Sequence, residues 1–127
     1  MDSTVVIDAC IFIDHFRSKN KENTLLSKLE QQQRKLCVSA VAKYEVLAGA
    51  NEKDMEELQR IFENITVLAF DDTAIGMARM IYRQLKQENK LIDHNDILIA
   101  ATAMTNDLPL VTFNRKHFER IRGLRLV

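Results

Sequence analysis

Three acidic side chains lie in segments that are otherwise too apolar for a free carboxylate. Asp8 follows a short run of apolar residues, Glu45 lies in a mostly apolar helical segment, and Asp96 opens the most apolar helical segment of the chain. A buried carboxylate without a partner costs several kcal/mol or becomes protonated through a raised pKa. Three such acids at one site would repel each other unless a divalent cation joined them, and ligands that are all oxygen favour Mg²⁺ or Mn²⁺. The three histidines form no H-E-x-x-H motif that would point to zinc.

Each acid also has an ordinary structural explanation. Asp8 could cap the helix that follows the strand, Glu45 could pair with a lysine or arginine, and Asp96 could stabilise the first turn of its helix through the helix dipole. These explanations are independent of one another, whereas a single metal site accounts for all three positions. We therefore expect Asp8, Glu45 and Asp96 to form one catalytic, metal-binding group.

Short apolar strands alternate with helices along the chain, and this pattern sets where those acids lie. The alternation is typical of an α/β fold in which a mainly parallel central sheet carries helices on both faces, a three-layer α/β/α sandwich. The carboxyl ends of the first, second and fourth strands then meet at one edge, which brings Asp8, Ser39 and Thr112 together. The predicted strands are 5–7, 36–38, 65–70, 109–111 and a last edge strand at 124–127. A long helix is predicted at 73–88, with an inner face made of Ile75, Ala78, Met80, Ile81 and Leu85.

The composition is that of a globular protein with one domain spanning residues 1–127. Apolar residues make up 46% and charged residues 28%, and 18 basic side chains balance 18 acidic ones, so net charge provides no global signal for nucleic acid. Cys10 and Cys37 form no C-x-x-C pair, which is typical of a reducing compartment. The longest apolar run, at 97–104, is too short to span a bilayer, and the start shows no signal-peptide pattern. We expect a cytoplasmic protein with no membrane partner.

Basic side chains gather after the fourth strand, close to the predicted site. Arg115, Lys116 and Arg120 lie in this segment. They could bind phosphates or an acidic partner peptide, and a solvated helix face is the ordinary alternative.

The motifs of the chain, taken in order, resemble those of the PIN-domain ribonucleases, and most closely the VapC-type toxins of bacterial and archaeal toxin–antitoxin pairs. The segments span nearly the whole chain at about the spacing of that family. They are Ile7-Asp8-Ala9-Cys10-Ile11-Phe12-Ile13-Asp14, Ser39 with Glu45-Val46-Leu47-Ala48-Gly49, Asn95-Asp96-Ile97-Leu98-Ile99-Ala100-Ala101, and Leu110-Val111-Thr112-Phe113-Asn114 with Phe118 and Gly123-Leu124.

The resemblance implies a metal-dependent endoribonuclease with a PIN-like α/β/α fold. Asp8, Glu45 and Asp96 match the first three acids of the family, which hold Mg²⁺ or Mn²⁺. Thr112 matches the threonine before the last acidic site, and Ser39 matches a small polar residue near the metal.

Two positions depart from the pattern of the family. Asn114 stands where an aspartate is common, and His117 stands where another acid is frequent. The amide of Asn114 can still ligate an ion or hold a water, but it brings no charge, so the number of metals stays open. Ala9-Cys10 replaces the commoner Thr-Asn or Thr-Ser, which predicts that one polar contact near the metal is missing.

The partners implied by the resemblance are an RNA substrate, a cognate antitoxin and a second copy of the chain in a homodimer. A different class of function is a degenerate PIN domain that binds RNA or protein without cutting, which the absent fourth acid motivates. A receiver-like phosphotransfer domain is a weaker alternative. Asp71 and Asp72 follow a strand as it would require, but no lysine ends a later strand.

Overall fold

The computed structural model describes residues 3–127, in which four short parallel strands alternate with α-helices. The strands are β1 (Val5–Ile7), β2 (Leu36–Ser39), β3 (Thr66–Leu68) and β4 (Leu110–Val111). The helices are α1 (Ala9–Arg17), α2 (Leu25–Gln31), α3 (Ala40–Gly49), α4 (Met55–Glu63), α5 (Asp72–Gln87), α6 (His94–Thr105) and α7 (Arg115–Phe118). Single 3₁₀ turns at Lys21–Asn23 and Glu52–Asp54 precede α2 and α4.

The sheet has the order β3-β2-β1-β4, and every pair in it is parallel. Val6 lies opposite Cys37 of β2 on one side and Leu110 of β4 on the other, so β1 occupies the interior of the sheet. Helices cover a parallel sheet on both faces, which explains why all three residues of β1 are apolar and fully buried. The predicted three-layer α/β/α sandwich is confirmed.

Side-chain caps decide where the helices that leave the sheet begin. The carboxylate of Asp8 accepts a hydrogen bond from the first residue of α1, and the Ser39 hydroxyl accepts one from the Ala42 N–H at the start of α3. Asp71 does the same for α5 through the Ala74 N–H. Each such cap stabilises its helix by about 1 kcal/mol. Because Asp8 and Ser39 also end strands, both are placed at the carboxyl edge of the sheet.

The core is one cluster that contains residues from Val5 to Ile121. Phe12 of α1 packs on Phe62 of α4, with ring centroids 5.3 Å apart. On α6, buried side chains occur on most sides of the helix from Ile97 to Ala103, as the apolar sequence of that segment predicts. No helix within residues 3–127 combines the length and apolar character needed to cross a bilayer.

Some predicted details of the elements are wrong. Ile75 and Met80 do not belong to the inner face of α5, because their side chains are 53% and 65% exposed. The predicted strand at 124–127 is reduced to an isolated parallel bridge between Leu110 and Leu126. The third strand is shorter than predicted, and the exposed Thr66 and Val67 mark it as an edge of the sheet.

Candidate active site

Asp8 lies at the junction of β1 and α1 and is only 3% exposed. Its Oδ1 accepts a hydrogen bond of 2.8 Å from the Ala9 N–H, and its Oδ2 accepts one of 2.7 Å from the Thr112 hydroxyl at the end of β4. The backbone N–H of Asp8 also donates to the Val111 carbonyl at 3.0 Å. Asp8 is therefore a helix cap, and the pairing of β1 with β4 also fixes it at the carboxyl edge of the sheet.

A thiol completes the surroundings of this carboxylate. The Cys10 Sγ lies 3.4 Å from the Asp8 Oδ2 and 3.7 Å from the Thr112 Oγ1, and it accepts a hydrogen bond of 3.5 Å from the Phe113 N–H. Burial and the charge of Asp8 raise the pKa of Cys10 to about 11, so the thiol stays protonated and can donate to the carboxylate. The Cys10 thiol therefore gives Asp8 a polar contact, and the absence of a further contact to the metal at Ala9-Cys10 stays a prediction. We call Asp8, Cys10 and Thr112, with the backbone of 113–114, the Asp8 network.

Glu45 lies on α3, and its surroundings leave one of its carboxylate oxygens without a hydrogen bond in residues 3–127. Its Oε1 is buried, and no hydrogen-bond partner for it occurs in the part of the chain that the structure describes. Burial raises the pKa of Glu45, and the charges of Asp8 and Asp96 raise it further. Within residues 3–127 no lysine or arginine forms an ion pair with Glu45, so the explanation by simple charge pairing does not hold.

Asp96 lies in the first turn of α6, where it is half-buried. Burial is the main cause that raises the pKa of Asp96 to about 6, followed by the charges of Asp8 and Asp93, while His117 lowers it. The charges of Asp8 and Asp96 thus act on Glu45, and the charge of Asp8 also acts on Asp96. The effect of His117 on Asp96 was not predicted, since these residues lie on different helices.

The supporting residues have more varied surroundings. Ser39 is fully buried, and its hydroxyl is used to cap the helix that carries Glu45. Asn114 lies at the start of α7 with no side-chain capping bond, and its backbone N–H donates to the Thr112 Oγ1 at 3.0 Å. The side-chain amide of Asn114 is therefore available beside the Asp8 network.

The three predicted basic residues are not equivalent. The Arg115 guanidinium donates to the Val127 carbonyl at 2.6 Å and pairs with Glu119. Arg120 donates to the carbonyls of Lys90 and Leu91. Lys116 is exposed, and in residues 3–127 no group forms a hydrogen bond or ion pair with its ammonium. Of the three, Lys116 has the cation most available for a phosphate.

Comparison with known families agrees with this arrangement, because the family model of the PIN domain matches residues 5–124. The chain belongs to the PIN domain family. This PIN domain is similar to ribonuclease VapC1 of Methanocaldococcus jannaschii, with 32% identity over 98% of this chain and 88% of the relative.

Solved structures of PIN proteins have the same fold as this PIN domain. The DNA-bound VapBC of Salmonella typhimurium aligns with a TM-score of 0.85 at 22% identity, covering 100% of this chain and 98% of that one. A toxin–antitoxin complex from Klebsiella pneumoniae aligns with a TM-score of 0.70 at 26% identity, covering 94% of each chain.

PIN-domain ribonucleases generally depend on a divalent metal ion, and the acidic group of this PIN domain can be compared with that requirement. Within residues 3–127 no three His, Cys, Asp or Glu side chains are arranged as a ready-made metal cluster. The buried, unpartnered oxygen of Glu45 and the raised pKa values of Glu45 and Asp96 indicate that positive charge is lacking. The all-oxygen donors fit Mg²⁺ or Mn²⁺.

Proposed function

We propose that this PIN domain is a metal-dependent endoribonuclease that acts as the toxin of a toxin–antitoxin pair. The observation that carries the proposal is a buried oxygen of Glu45 that has no hydrogen-bond partner within residues 3–127. The charges of Asp8 and Asp96 act on the same carboxylate, so three acids from three helices meet at this site. The similarity to a protein named ribonuclease VapC1 supports the nuclease activity. A related fold named as a toxin–antitoxin complex supports the biological role.

Asp8, Glu45 and Asp96 would hold the Mg²⁺ or Mn²⁺ ion. Such an ion, when bound, neutralises charge on a phosphate and lowers the pKa of a water so that it can attack phosphorus at neutral pH. The protein supplies orientation: the Thr112 hydroxyl and the Cys10 thiol both hold the Asp8 Oδ2. These two contacts restrict the rotation of the Asp8 side chain. Less conformational entropy is therefore lost when the substrate binds.

Asn114 is the residue we propose for orienting the attacking water. Its amide can accept a hydrogen bond from that water through oxygen or donate one through nitrogen. A neutral amide in place of a fourth carboxylate attracts a second divalent ion less strongly, so we propose one tightly bound ion. Counting bound Mn²⁺ by calorimetry tests this number.

The remaining properties that we propose concern the setting of the protein. Residues 1–127 form one domain, which the single core cluster supports. A cytoplasmic location is supported by both cysteines being thiols in the structure. The cognate antitoxin is a separate protein that covers the acidic site, and a homodimer remains a prediction from the resemblance.

The first test replaces Asp8 with Asn and measures cleavage of transfer, ribosomal and messenger RNA with Mg²⁺ or Mn²⁺. Losing an outer-sphere partner of a metal ligand typically costs about 10- to 100-fold, so losing a ligand should reduce cleavage by more than that. The matched control is Asp14→Asn, an exposed acid on the same helix. Undiminished cleavage by the Asp8 variant would refute the assignment.

A non-catalytic binding module is not favoured, and calorimetry separates it from the enzyme. The enzyme requires a bound ion, whereas a degenerate domain need not take up Mg²⁺ or Mn²⁺ at all. Near pH 6, wild-type protein should release protons as it binds Mn²⁺, because the raised pKa of about 6 leaves part of Asp96 protonated there. RNA binding without metal uptake or cleavage would support the binding module instead.

A further inference from the structure

We propose that Phe113 is a stacking platform for one unpaired base of the RNA, placed beside the acidic site. This inference rests on the proposed ribonuclease function and specifies how the substrate is held. It concerns a residue that lies between Thr112 and Asn114 and that has no role in the chemistry described above.

Phe113 carries an exposed aromatic ring. Its side chain is 53% exposed, whereas the other five phenylalanines are buried or half-buried. The neighbouring Val111 and Thr112 are buried, as is Phe118 on α7. Burial of a phenylalanine side chain normally stabilises the folded protein. A ring left in solvent at this position is therefore available to a ligand.

The backbone that carries this ring is held firmly. The Phe113 N–H donates to the Cys10 Sγ at 3.5 Å. The preceding Thr112 hydroxyl donates to the Asp8 Oδ2 at 2.7 Å, and the following Asn114 N–H donates to the Thr112 Oγ1 at 3.0 Å. Because both neighbours belong to the Asp8 network, the backbone that carries the ring is held at the edge of the site. A preorganised platform loses little conformational entropy when a ligand binds.

A cation close to Phe113 in the chain favours a nucleic acid strand. Lys116 follows Phe113 by three residues, and its ammonium has no hydrogen-bond or ion-pair partner in the described chain. An aromatic ring with a nearby free cation is the combination that binds single strands, since the ring stacks on a base and the cation contacts the backbone. In a duplex both faces of a base are already covered, so the platform selects an unpaired nucleotide.

The expected size of the effect follows from stacking on single strands. Removing one aromatic platform weakens binding by about 5- to 150-fold. Phe113→Ala and Phe113→Leu should therefore raise KM for a single-stranded oligonucleotide pool by that factor, with a smaller change in kcat. Phe113→Trp should retain the wild-type KM, because it preserves a flat aromatic face. Leucine separates stacking from simple apolar contact.

The matched control is Met80→Ala, which removes another exposed apolar side chain, on α5. Its KM should equal that of the wild type. A second readout does not depend on cleavage: the Asp8→Asn protein is irradiated with a single-stranded pool that contains 5-iodouridine, and the cross-linked peptide is mapped. The cross-link should fall on Phe113 and should disappear in the Asp8→Asn, Phe113→Leu double variant.

The outcomes of the two readouts are distinct. If wild-type protein cleaves no RNA with Mg²⁺ or Mn²⁺, the proposed function fails, and the cross-link alone decides whether Phe113 stacks on a base. If wild type cleaves but the Phe113→Leu variant has an unchanged KM and the cross-link lies elsewhere, the platform is overturned while the ribonuclease stands. Weaker binding of the antitoxin alone, with RNA binding unchanged, would also overturn it by making Phe113 a protein contact.

Discussion

Replacing Asp96 with Asn should make the metal-free protein more stable at neutral pH. The pKa of Asp96 is raised from 3.8 to about 6, chiefly by burial and then by the charges of Asp8 and Asp93. A carboxyl whose pKa is raised in the folded state is stabilised there while protonated. Its contribution is complete below the pKa of the unfolded chain and is lost as pH rises through about 6. Asparagine stays neutral and avoids that loss.

The magnitude follows from the shift of about two pH units. Each unit corresponds to about 1.4 kcal/mol, which gives about 3 kcal/mol without screening. Asp96 is half-exposed, and water screens its repulsion, so we expect about 1–2 kcal/mol. For a chain of this size that difference raises Tm by about 3–8 °C.

The assay is urea unfolding of wild type and Asp96→Asn in chelator, at several pH values from about 4.5 to about 8. The difference in the free energy of unfolding should be small at the acidic end and should grow to its full value above the pKa of Asp96. In saturating Mg²⁺ the wild type should become more stable than Asp96→Asn, because only the wild type gains the binding free energy of the ion. The control is Asp14→Asn, an exposed acid on α1. A difference between Asp96→Asn and wild type that does not change with pH would refute this reasoning.

Three further changes probe the Asp8 network, the buried oxygen of Glu45 and the core. Thr112→Val removes the 2.7 Å hydrogen bond to Asp8. This variant should lower the free energy of unfolding by about 1.5–3 kcal/mol and should also reduce RNA cleavage. Thr112→Ser should retain both stability and cleavage, and equal behaviour of the Val and Ser variants would contradict the role of the hydroxyl. Glu45→Gln should leave the metal-free protein at least as stable, because the Oε1 has no hydrogen-bond partner in residues 3–127 to lose. It should lower Mn²⁺ affinity in calorimetry by at least about tenfold, and unchanged affinity would remove Glu45 from the metal site. Phe12→Ala should cost about 3–5 kcal/mol in urea unfolding, because the ring is fully buried against Phe62; a cost below about 1 kcal/mol would show that the core repacks there.

Local signals in the sequence were sufficient for most of the fold. The apolar run at Val5–Ile7 predicted an interior strand, because a parallel sheet covered on both faces leaves no position for a polar side chain. The near-continuous apolar residues after Asp96 predicted the buried helix α6, because a helix that is apolar on most sides must be covered on most sides. Helix starts were predictable where Ser39 and Asp71 provide a side-chain cap.

Predictions failed where the outcome depends on what covers an element. Helical periodicity assigned Ile75 and Met80 to the inner face of α5, but the width of that face is set by the neighbouring layer, and both side chains are exposed. The strand predicted at 124–127 needed a longer partner than the two residues of β4, so only the bridge at Leu126 formed.

For the site, the sequence by itself determined which three acids are the candidates. A carboxylate in an apolar segment is visible from its neighbours in the chain, so Asp8, Glu45 and Asp96 could be selected without any structure. What the tertiary structure decided was their surroundings: the contacts of Cys10 with the loop after β4 join positions 102 residues apart, and the field of His117 reaches Asp96 from another helix. These contacts depend on the pairing of β1 with β4 and on the packing of α7. The spacing of residues in the sequence does not give the distance between side chains that only folding brings together.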